Sequence, residues 1–297
     1  MTPDESPTRD TPGRAPLWVP SDRERQRAVV RRAIARRRAL VAAASSIAVL
    51  GSLTAVVVLS PGWNVVAETF FDTQYGAEVL RTVARGMLTN LGLTAVASVL
   101  IAVIAMVLAL ARTSRSAALT PFRVLATVYV DVFRGVPLLL VILLVGFGVP
   151  ALQLSGMTSS VLVLGTAAVV LTYSAYVAEV LRSGILSVHP SQRAAARSLG
   201  LTAGQTMRFV VLPQAVKRVV PPLLNDLVAL LKDTGLVSIL GVIDAVRAGQ
   251  IEASRTFNYT PYVVAALLFL VITVPLTRYT DRVLARSITR QNAQGTA

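Results

Sequence analysis

Residues 135–178 read GVPLLLVILLVGFGVPALQLSGMTSSVLVLGTAAVVLTYSAYVA and contain no charged side chain. A helix needs about 20 mostly apolar residues to cross the roughly 30 Å hydrocarbon core of a bilayer. The stretch is therefore too long for one crossing. The segments Gly148–Pro150 and Gln153–Ser155 predict a break inside it. We expect one span near 120–147, bent at Gly135 and Pro137, and a second near 157–180.

The rest of the chain repeats this apolar pattern. Residues 39–60 and 86–111 carry no charge, and two further apolar runs lie near 214–240 and 261–278. The run at 39–60 is too long for the core of a signal peptide, so we expect a retained helix. The chain is 54% hydrophobic and 15% charged, whereas soluble domains are near 45–50% apolar and ~25% charged. The predicted fold class is an all-α, polytopic membrane protein with about six transmembrane helices.

The basic residues are concentrated in a few short segments. The formal net charge is +14, and 23 of the 29 Lys and Arg residues lie in 1–38, 112–123, 181–218 and 278–297. These segments lie on one side of the predicted membrane, and such an excess marks the cytoplasmic side. Both termini are therefore predicted to be cytoplasmic. The distribution is typical of membrane orientation rather than of a nucleic-acid-binding face, and the arginines of 21–38 are expected to contact membrane lipid.

The composition excludes several kinds of chemistry. The chain has no cysteine and one histidine, His189, so neither a cysteine site nor a multi-histidine metal site can form within it. Its two lysines, Lys217 and Lys232, do not follow a glycine, which excludes a phosphate-binding loop of the G-x-x-x-x-G-K-[ST] kind. We therefore expect no metal, no cofactor and no enzymatic activity. If the chain pumps a solute, a partner chain must supply the energy.

One predicted cytoplasmic loop carries more local structure than a linker needs. Residues 190–213 read PSQRAAARSLGLTAGQTMRFVVLP. Pro190 suits the first position of a helix, and Gly200 stands where a glycine would end that helix. Thr202 and Gln205 have the spacing of a capping box that begins a second helix. We expect His189 to cap the first helix, and we expect the helix–glycine–helix element to dock a cytoplasmic partner.

This loop resembles the EAA loop of bacterial binding-protein-dependent ABC importer permeases. That pattern is Glu-Ala-Ala, three residues, Gly, nine residues, then Ile-x-Leu-Pro. Ala195, Ala196 and Gly200 match it, Val210 stands for the isoleucine, and Leu212-Pro213 close it, whereas Ala194 replaces the glutamate. The resemblance implies docking into a groove of an ATPase subunit, with one contact of the family missing. The implied ATPase-coupling residues are Pro190, Arg193, Ala194, Ala195, Ala196, Leu199, Gly200, Leu212 and Pro213.

Three further stretches resemble polar amino acid permeases of this family. They are YVDVFRGVPLL at 129–139, YSAYVAEVLRSG at 173–184 and LLKDTGLVS at 230–238. The extra N-terminal span and the placement of these motifs along the chain are most similar to those of glutamate permeases of actinobacteria. The resemblance implies a five-helix importer core plus one N-terminal helix, in a bacterial cell membrane. The implied partners are two ATP-hydrolysing subunits, a second permease subunit, homologous or identical, and an extracellular amino-acid-binding protein. The implied substrate is glutamate or a close relative.

Ionisable residues inside the predicted spans allow two readings. Such groups are costly in lipid, so they either pair with one another between helices or line a polar path. Asp131 with Arg134, and Glu179 with Arg182, are spaced three apart and share a helix face. We expect Arg134, Lys232, Asp233 and Thr234 on the substrate path. An ion-coupled secondary transporter and a membrane scaffold remain as alternatives to the importer permease.

The predicted organisation is a cytoplasmic Arg-rich tail at 1–38, an extra transmembrane helix at 39–60, an external segment at 61–85, a permease core at 86–280 with its coupling loop at 187–213, and a cytoplasmic tail at 281–297.

Overall fold

The computed structural model describes residues 21–114 and 116–295, and the side chains in these ranges except those of 28, 29, 32 and 285–295. Every regular secondary-structure element in these ranges is a helix, so the predicted all-α class is confirmed. The α-helices are α1 (Asp22–Val58), α2 (Trp63–Phe70), α3 (Thr73–Thr113), α4 (Thr120–Gly135), α5 (Leu138–Ala151), α6 (Val161–Leu186), α7 (Pro190–Ser198), α8 (Ala203–Thr206), α9 (Leu212–Asp233), α10 (Ala245–Thr256) and α11 (Thr260–Gly295).

The chain divides into two compact units, residues 1–64 and 65–297. The first contains α1, which begins at a capping box formed by Ser21 and Glu24. The predicted arginine-rich tail and the predicted first span form one unbroken helix, because neither glycine nor proline occurs between Asp22 and Leu50. Its part from Ala33 to Val58 is long and apolar enough to cross a membrane. Residues 1–20 of the predicted tail lie outside the described residues.

The predicted external segment is also more helical than its charges indicate. A short helix is present at Trp63–Phe70, and α3 begins at Thr73 rather than near Gly86. Asp72 caps α3 by accepting the Tyr75 N–H at 3.0 Å. Charged residues between 73 and 86 lie on solvent-accessible positions, so they do not interrupt the helix.

The third predicted span is a bent pair of helices. The axes of α4 and α5 differ by 107° across the break at Val136 and Pro137. A residue before proline is pushed out of the α region, and Val136 is extended with φ −100° and ψ 130°. The bend predicted from Gly135 and Pro137 is therefore confirmed. The next break, between α5 and α6, spans residues 152–160.

The core of the second unit is a cluster of buried side chains around α3 and α6. Ala97, Ala105 and Ala109 of α3 belong to it, as do Ala168 and Ala175 of α6, and all five are fully buried. Small residues allow helix backbones in a membrane to approach closely, which is the main source of helix association there. This packing fixes α3 and α6 as the frame against which α9 and α11 lie.

Fewer helices qualify as spans than the sequence predicts. By length and apolar composition the described residues contain four candidate spans, or five if α4 with α5 is one. The prediction of about six includes α9, which does not qualify because it carries Lys217, Arg218, Asp226, Lys232 and Asp233. The polytopic class is confirmed, whereas a crossing by α9 stays a prediction.

Gly86 of α3 lies directly against the backbone of Asp244 and Ala245. A Cβ built on Gly86 would lie 2.5 Å from the Asp244 carbonyl oxygen and 2.7 Å from the Ala245 nitrogen. We expect Gly86→Ala to destabilise the chain by about 1–3 kcal/mol, because backbone atoms cannot move aside as a flexible side chain can. Thermal unfolding in detergent measures this.

Gly92→Ala on the same helix is the matched control, since a Cβ there meets nothing within 4 Å. Alanine is the better helix former, so this variant should be neutral or more stable by up to about 1 kcal/mol. Equal unfolding temperatures for the two variants would contradict the close approach at Gly86.

Candidate functional site

The loop between α6 and α9 begins with the capped helix α7. His189 is its N-cap, and the His189 Nδ1 accepts the Ser191 N–H at 3.3 Å. Pro190 follows at the first helical position, where its missing N–H leaves no partner unsatisfied. The predicted capping role of His189 and the predicted start of the helix at Pro190 both agree with this geometry.

The end of α7 is a Schellman turn centred on Gly200. The Leu201 N–H donates to the Ala196 carbonyl at 3.2 Å, and the Gly200 N–H donates to the Arg197 carbonyl at 3.0 Å. These bonds require a left-handed residue at Gly200, whose φ is +86°. Glycine therefore ends the helix for a conformational reason, because a Cβ at this position would meet nothing within 4 Å.

A second cap and a wide turn lead from the loop into α9. Thr202 Oγ1 accepts the Gln205 N–H at 3.3 Å, and Gln205 Oε1 accepts the Thr202 N–H at 2.8 Å, which completes the predicted capping box. The four-residue helix α8 then passes into a π-helical turn at Met207–Val211. The Leu212 N–H bonds to the Met207 carbonyl five residues back. Such turns often occur at functional sites.

The predicted coupling residues divide between the two faces of this loop. Ala196 is buried, whereas Ala194, Ala195 and Leu199 are exposed, Leu199 to 84%. Phe209 in the same loop is also exposed, to 61%. Single exposed apolar side chains are common, but these two lie on a short, well-capped loop.

Other predicted coupling residues anchor the loop instead. Arg193 donates to the Ile185 carbonyl at the end of α6, and Arg218 donates to the Ser187 carbonyl. Both contacts satisfy carbonyls that the last turn of a helix leaves free. Leu212 and Pro213 begin α9. Arg193 therefore holds the loop against α6 and does not belong to its exposed surface.

A cavity of about 420 Å³ lies between α3, α6 and α9. Its lining is almost entirely apolar, and the polar side chains that reach it are Ser98, Tyr173 and Asp226. The Asp226 Oδ2 atom is buried and has no hydrogen-bond partner within the described residues. An unpaired carboxylate in apolar surroundings is costly, so the cavity favours a cationic ligand group.

The four predicted path residues do not form one cluster. Asp233 accepts a hydrogen bond from the Tyr173 hydroxyl at 2.7 Å, and Tyr173 lines the cavity. Lys232 is exposed, and Thr234 is buried in a separate polar group. Asp226 is the cavity residue that the prediction omitted. Asp226 lies on the same helix face as Val219, Leu223, Leu227 and Leu230, and this spacing could have been recognised in the sequence.

Arg134 belongs to an ion-pair cluster around Glu179. Glu179 pairs with Arg112 of α3 at 2.6 Å and with Arg182 at 2.5 Å, and Arg134 of α4 lies 3.9 Å away. The Arg134 guanidinium also lies 5.9 Å from the centre of the Tyr176 ring. The cluster joins three helices, which favours the interhelical ion-pair reading for Arg134 over a place in the cavity. Asp131 has no ion pair with Arg134 in the described part of the chain.

Glu179→Gln should destabilise the chain by about 2 kcal/mol, because it leaves the partly buried Arg112 without its carboxylate partner. Glu252→Gln is the matched control. The Glu252 pair with Arg255 spans 3.8 Å and Arg255 is largely exposed, so its loss should cost well under about 1 kcal/mol. Thermal unfolding in detergent compares the two. A smaller loss for Glu179→Gln than for the control would refute an interhelical role.

A buried polar network ties α3 to the start of α10. Asn90 Nδ2 donates to Asp244 Oδ2 at 3.0 Å and to Thr234 Oγ1 at 3.2 Å, and Asn90 Oδ1 accepts the Ala245 N–H at 3.0 Å. Asn90 and Asp244 are fully buried. The role of Thr234 that the structure supports is therefore structural. Sequence reasoning missed this network because its members lie far apart along the chain.

The chain matches a known family over residues 114–289, described as the binding-protein-dependent transport system inner membrane component. One similar protein is the arginine transport system permease protein ArtQ of Bacillus subtilis, 33% identical over 66% of this chain and 87% of ArtQ. Another is the probable glutamine ABC transporter permease protein GlnM of the same organism, 38% identical over 52% of this chain and 71% of GlnM.

Solved structures agree with these sequence matches. An amino acid ABC transporter crystallised with histidines has a chain of 32% identity and TM-score 0.66, covering 72% of this chain and 98% of its own. The inward-facing MetNI methionine ABC transporter, at 17% identity and TM-score 0.54, shares the fold over 69% of this chain and 95% of its own.

These matches show that the chain belongs to the family of binding-protein-dependent transport system inner membrane components. It is a permease subunit of an amino acid ABC importer, located as a multi-pass protein in the inner membrane. It is a transport subunit rather than an enzyme, since a separate ATPase hydrolyses ATP in such importers. Membership implies ATPase partners and a second permease subunit.

Proposed function

We propose that this permease carries a polar amino acid through the cavity between α3, α6 and α9, and that Asp226 binds the substrate's ammonium group. The unpaired carboxylate in an otherwise apolar cavity supports this proposal. Every amino acid offers an α-ammonium group, and its burial is favourable only where a carboxylate meets it. Tyr173 of α6, whose hydroxyl donates to Asp233, is a second polar side chain in the cavity lining.

The side chain of the substrate is a separate question. The family resemblance predicts glutamate or a close relative, whereas two similar proteins are named for arginine and glutamine. The residues that line the cavity include one carboxylate and no cationic side chain. The α-carboxylate that every amino acid carries has no cationic partner in this lining, and glutamate would add a second unpartnered carboxylate. We therefore propose a neutral or cationic polar amino acid as the better fit, with glutamate as the second candidate.

The proposed coupling runs through the loop from Pro190 to Pro213. One of the two ATPase subunits would dock on its exposed surface, where Ala194, Ala195 and Leu199 lie. Ala196 and Gly200 would set the shape of that surface, and Arg193 would hold it against α6. Movement of the loop reaches the cavity because α9 begins at Leu212 and carries Asp226.

The remaining parts of the assembly follow from orientation. With both termini cytoplasmic, the coupling loop faces the ATPase subunits, and α10 lies on the opposite side of the membrane. An extracellular amino-acid-binding protein would deliver the substrate there. The second permease, homologous or identical, would complete the path. The charge distribution supports this orientation, because the arginine-rich segments share the predicted cytoplasmic side.

Uptake by a host strain that lacks this gene tests the proposal. Labelled glutamine, arginine, glutamate and histidine are offered one at a time, and the wild-type gene is restored on a plasmid. Loss of uptake of glutamine or arginine, restored by the wild-type gene, supports the preferred substrate class. Loss of glutamate uptake alone supports the second candidate. Uptake that follows an ion gradient and survives ATP depletion would overturn the importer mechanism in favour of a secondary transporter.

A further inference from the structure

We propose that α1 carries an arginine collar that binds the headgroups of anionic lipids where the helix leaves the membrane. The collar consists of Arg31, Arg36, Arg37 and Arg38, all exposed. It lies outside the residues that match the family, which begin at 114. The inference is therefore independent of the proposed transport function, and it concerns the first compact unit alone.

The position of the collar along α1 matches the headgroup layer. The uncharged run 39–60 begins immediately after Arg38, and about 20 apolar residues suffice to cross the hydrocarbon core. Because α1 is unbroken from Asp22 to Val58, Arg31 lies about 10 Å along the axis from Arg38. The headgroup region on each side of a bilayer is roughly 5–8 Å thick. The four guanidinium groups therefore fall within that layer or just beyond it.

The distribution around the helix distinguishes lipid from a protein partner. Consecutive residues of a helix are about 100° apart, so Arg36, Arg37 and Arg38 point in three directions. Arg31 lies seven residues before Arg38 and points within about 20° of it, so the four arginines cover about 220° of the helix circumference. A protein partner, or a helix lying flat on the membrane, would need the charges on one face. Lipids surround a spanning helix on all sides, so a collar of this kind fits their headgroups best.

The charges of the collar are not neutralised within the described part of the chain. None of the four side chains lies within 4.0 Å of a carboxylate there, and Arg31 uses its Nε–H to bond the Arg27 carbonyl at 3.3 Å. A basic residue at this distance from an anionic membrane favours an anionic lipid neighbour by about fivefold. Several such residues on one helix should enrich anionic lipid markedly at low ionic strength.

The absence of cysteine from the chain allows a direct measurement. The full-length chain with Ala35→Cys, labelled with a fluorescent donor, is reconstituted in phosphatidylcholine vesicles that contain a minor fraction of phosphatidylglycerol. Energy transfer is then compared between acceptor-labelled phosphatidylglycerol and acceptor-labelled phosphatidylcholine at equal amounts. We expect several-fold more transfer to phosphatidylglycerol. A donor at Ser60→Cys, at the opposite end of α1, should show equal transfer to the two lipids.

Matched variants locate the charges that matter. The collar variant R36Q/R37Q/R38Q should lose most of the preference, whereas R23Q/R25Q/R27Q, further out on the same helix, should keep it. The variant R36K/R37K/R38K should also keep it, because the charge is retained. Protease access to the N-terminal segment confirms that each variant has the same orientation. An equal loss in the collar and outer variants would overturn the proposal, because the preference would then depend on the charge of the whole segment and not on the collar.

A salt titration of the Ala35→Cys chain with all its arginines in place tests the proposal without relying on any arginine variant. At 1 M salt the screening length falls to about 3 Å, so the preference for phosphatidylglycerol should disappear. Equal transfer to both lipids at low salt by this chain, or a preference that persists at high salt, would also overturn the proposal.

Discussion

Gly200→Val is expected to abolish ATP-driven uptake while the chain remains in the membrane at normal level. Gly200 is left-handed, with φ +86°, and a β-branched residue in that region costs about 2 kcal/mol. Such a cost lowers the population of the native turn, relative to altered turns, by a factor of about 30. The two bonds made by the Leu201 and Gly200 N–H groups would be lost. The exposed surface at Leu199 would then no longer be presented to the ATPase.

The measurement is substrate-stimulated ATP hydrolysis together with uptake, in the reconstituted importer. Gly204→Val is the matched control, because Gly204 lies in the same loop, within α8, and a Cβ there also meets nothing within 4 Å. It should retain near wild-type coupling. Gly200→Asn should recover part of the activity, since asparagine tolerates the left-handed region. Full uptake by Gly200→Val at normal expression would show that the turn does not govern coupling.

Asp226→Asn is expected to weaken substrate uptake by about 30- to 150-fold in apparent affinity. A charge-assisted hydrogen bond to a buried ammonium contributes about 2–3 kcal/mol, and each 1.4 kcal/mol is a factor of ten. Asp226→Glu keeps the charge but adds a methylene to the confined lining, so it should retain part of the uptake. Asp131→Asn, on the exposed surface of α4, should leave uptake unchanged.

The stability of the same variants separates binding from folding. The Asp226 Oδ2 atom has no partner in the described residues. Replacing Asp226 by leucine therefore removes no stabilising hydrogen bond of that atom. Asp226→Leu should therefore unfold at the same or a higher temperature in detergent, while its uptake is lost. A large loss of thermal stability in Asp226→Leu would be evidence for a structural role instead and would falsify the assignment to substrate.

Local features of the sequence predicted local features of the structure well. The capping box of Thr202 and Gln205, the glycine turn at Gly200 and the bend before Pro137 were all predictable. Each depends on the intrinsic conformational preference of one or two residues, which distant parts of the chain cannot easily override. Hydropathy predicted the apolar helices for a similar reason, because membrane crossing depends on composition and length.

Contacts between distant residues could not be predicted in the same way. The pair of Arg112 with Glu179 joins residues 67 positions apart, and Asn90 binds Asp244 across 154 positions. The sequence placed Arg134 and Asp131 on one helix face, but it could not show that Glu179 of another helix lies close to Arg134. Choosing among Asp226, Lys232 and Asp233 required knowledge of which face of α9 meets the cavity.

A π-helical turn at Met207–Val211 joins that helix to the coupling loop. The turn holds one residue more than an α-helical turn would, as the bond from the Leu212 N–H to the Met207 carbonyl records. Removing one residue there would restore an ordinary helix and rotate everything after it by about 100° relative to the coupling loop. The carboxylate of Asp226 would then leave the cavity with no change in its own neighbours along the chain. The single extra residue therefore sets the rotational register of α9, and with it the direction of the Asp226 carboxylate, relative to the loop at 190–213.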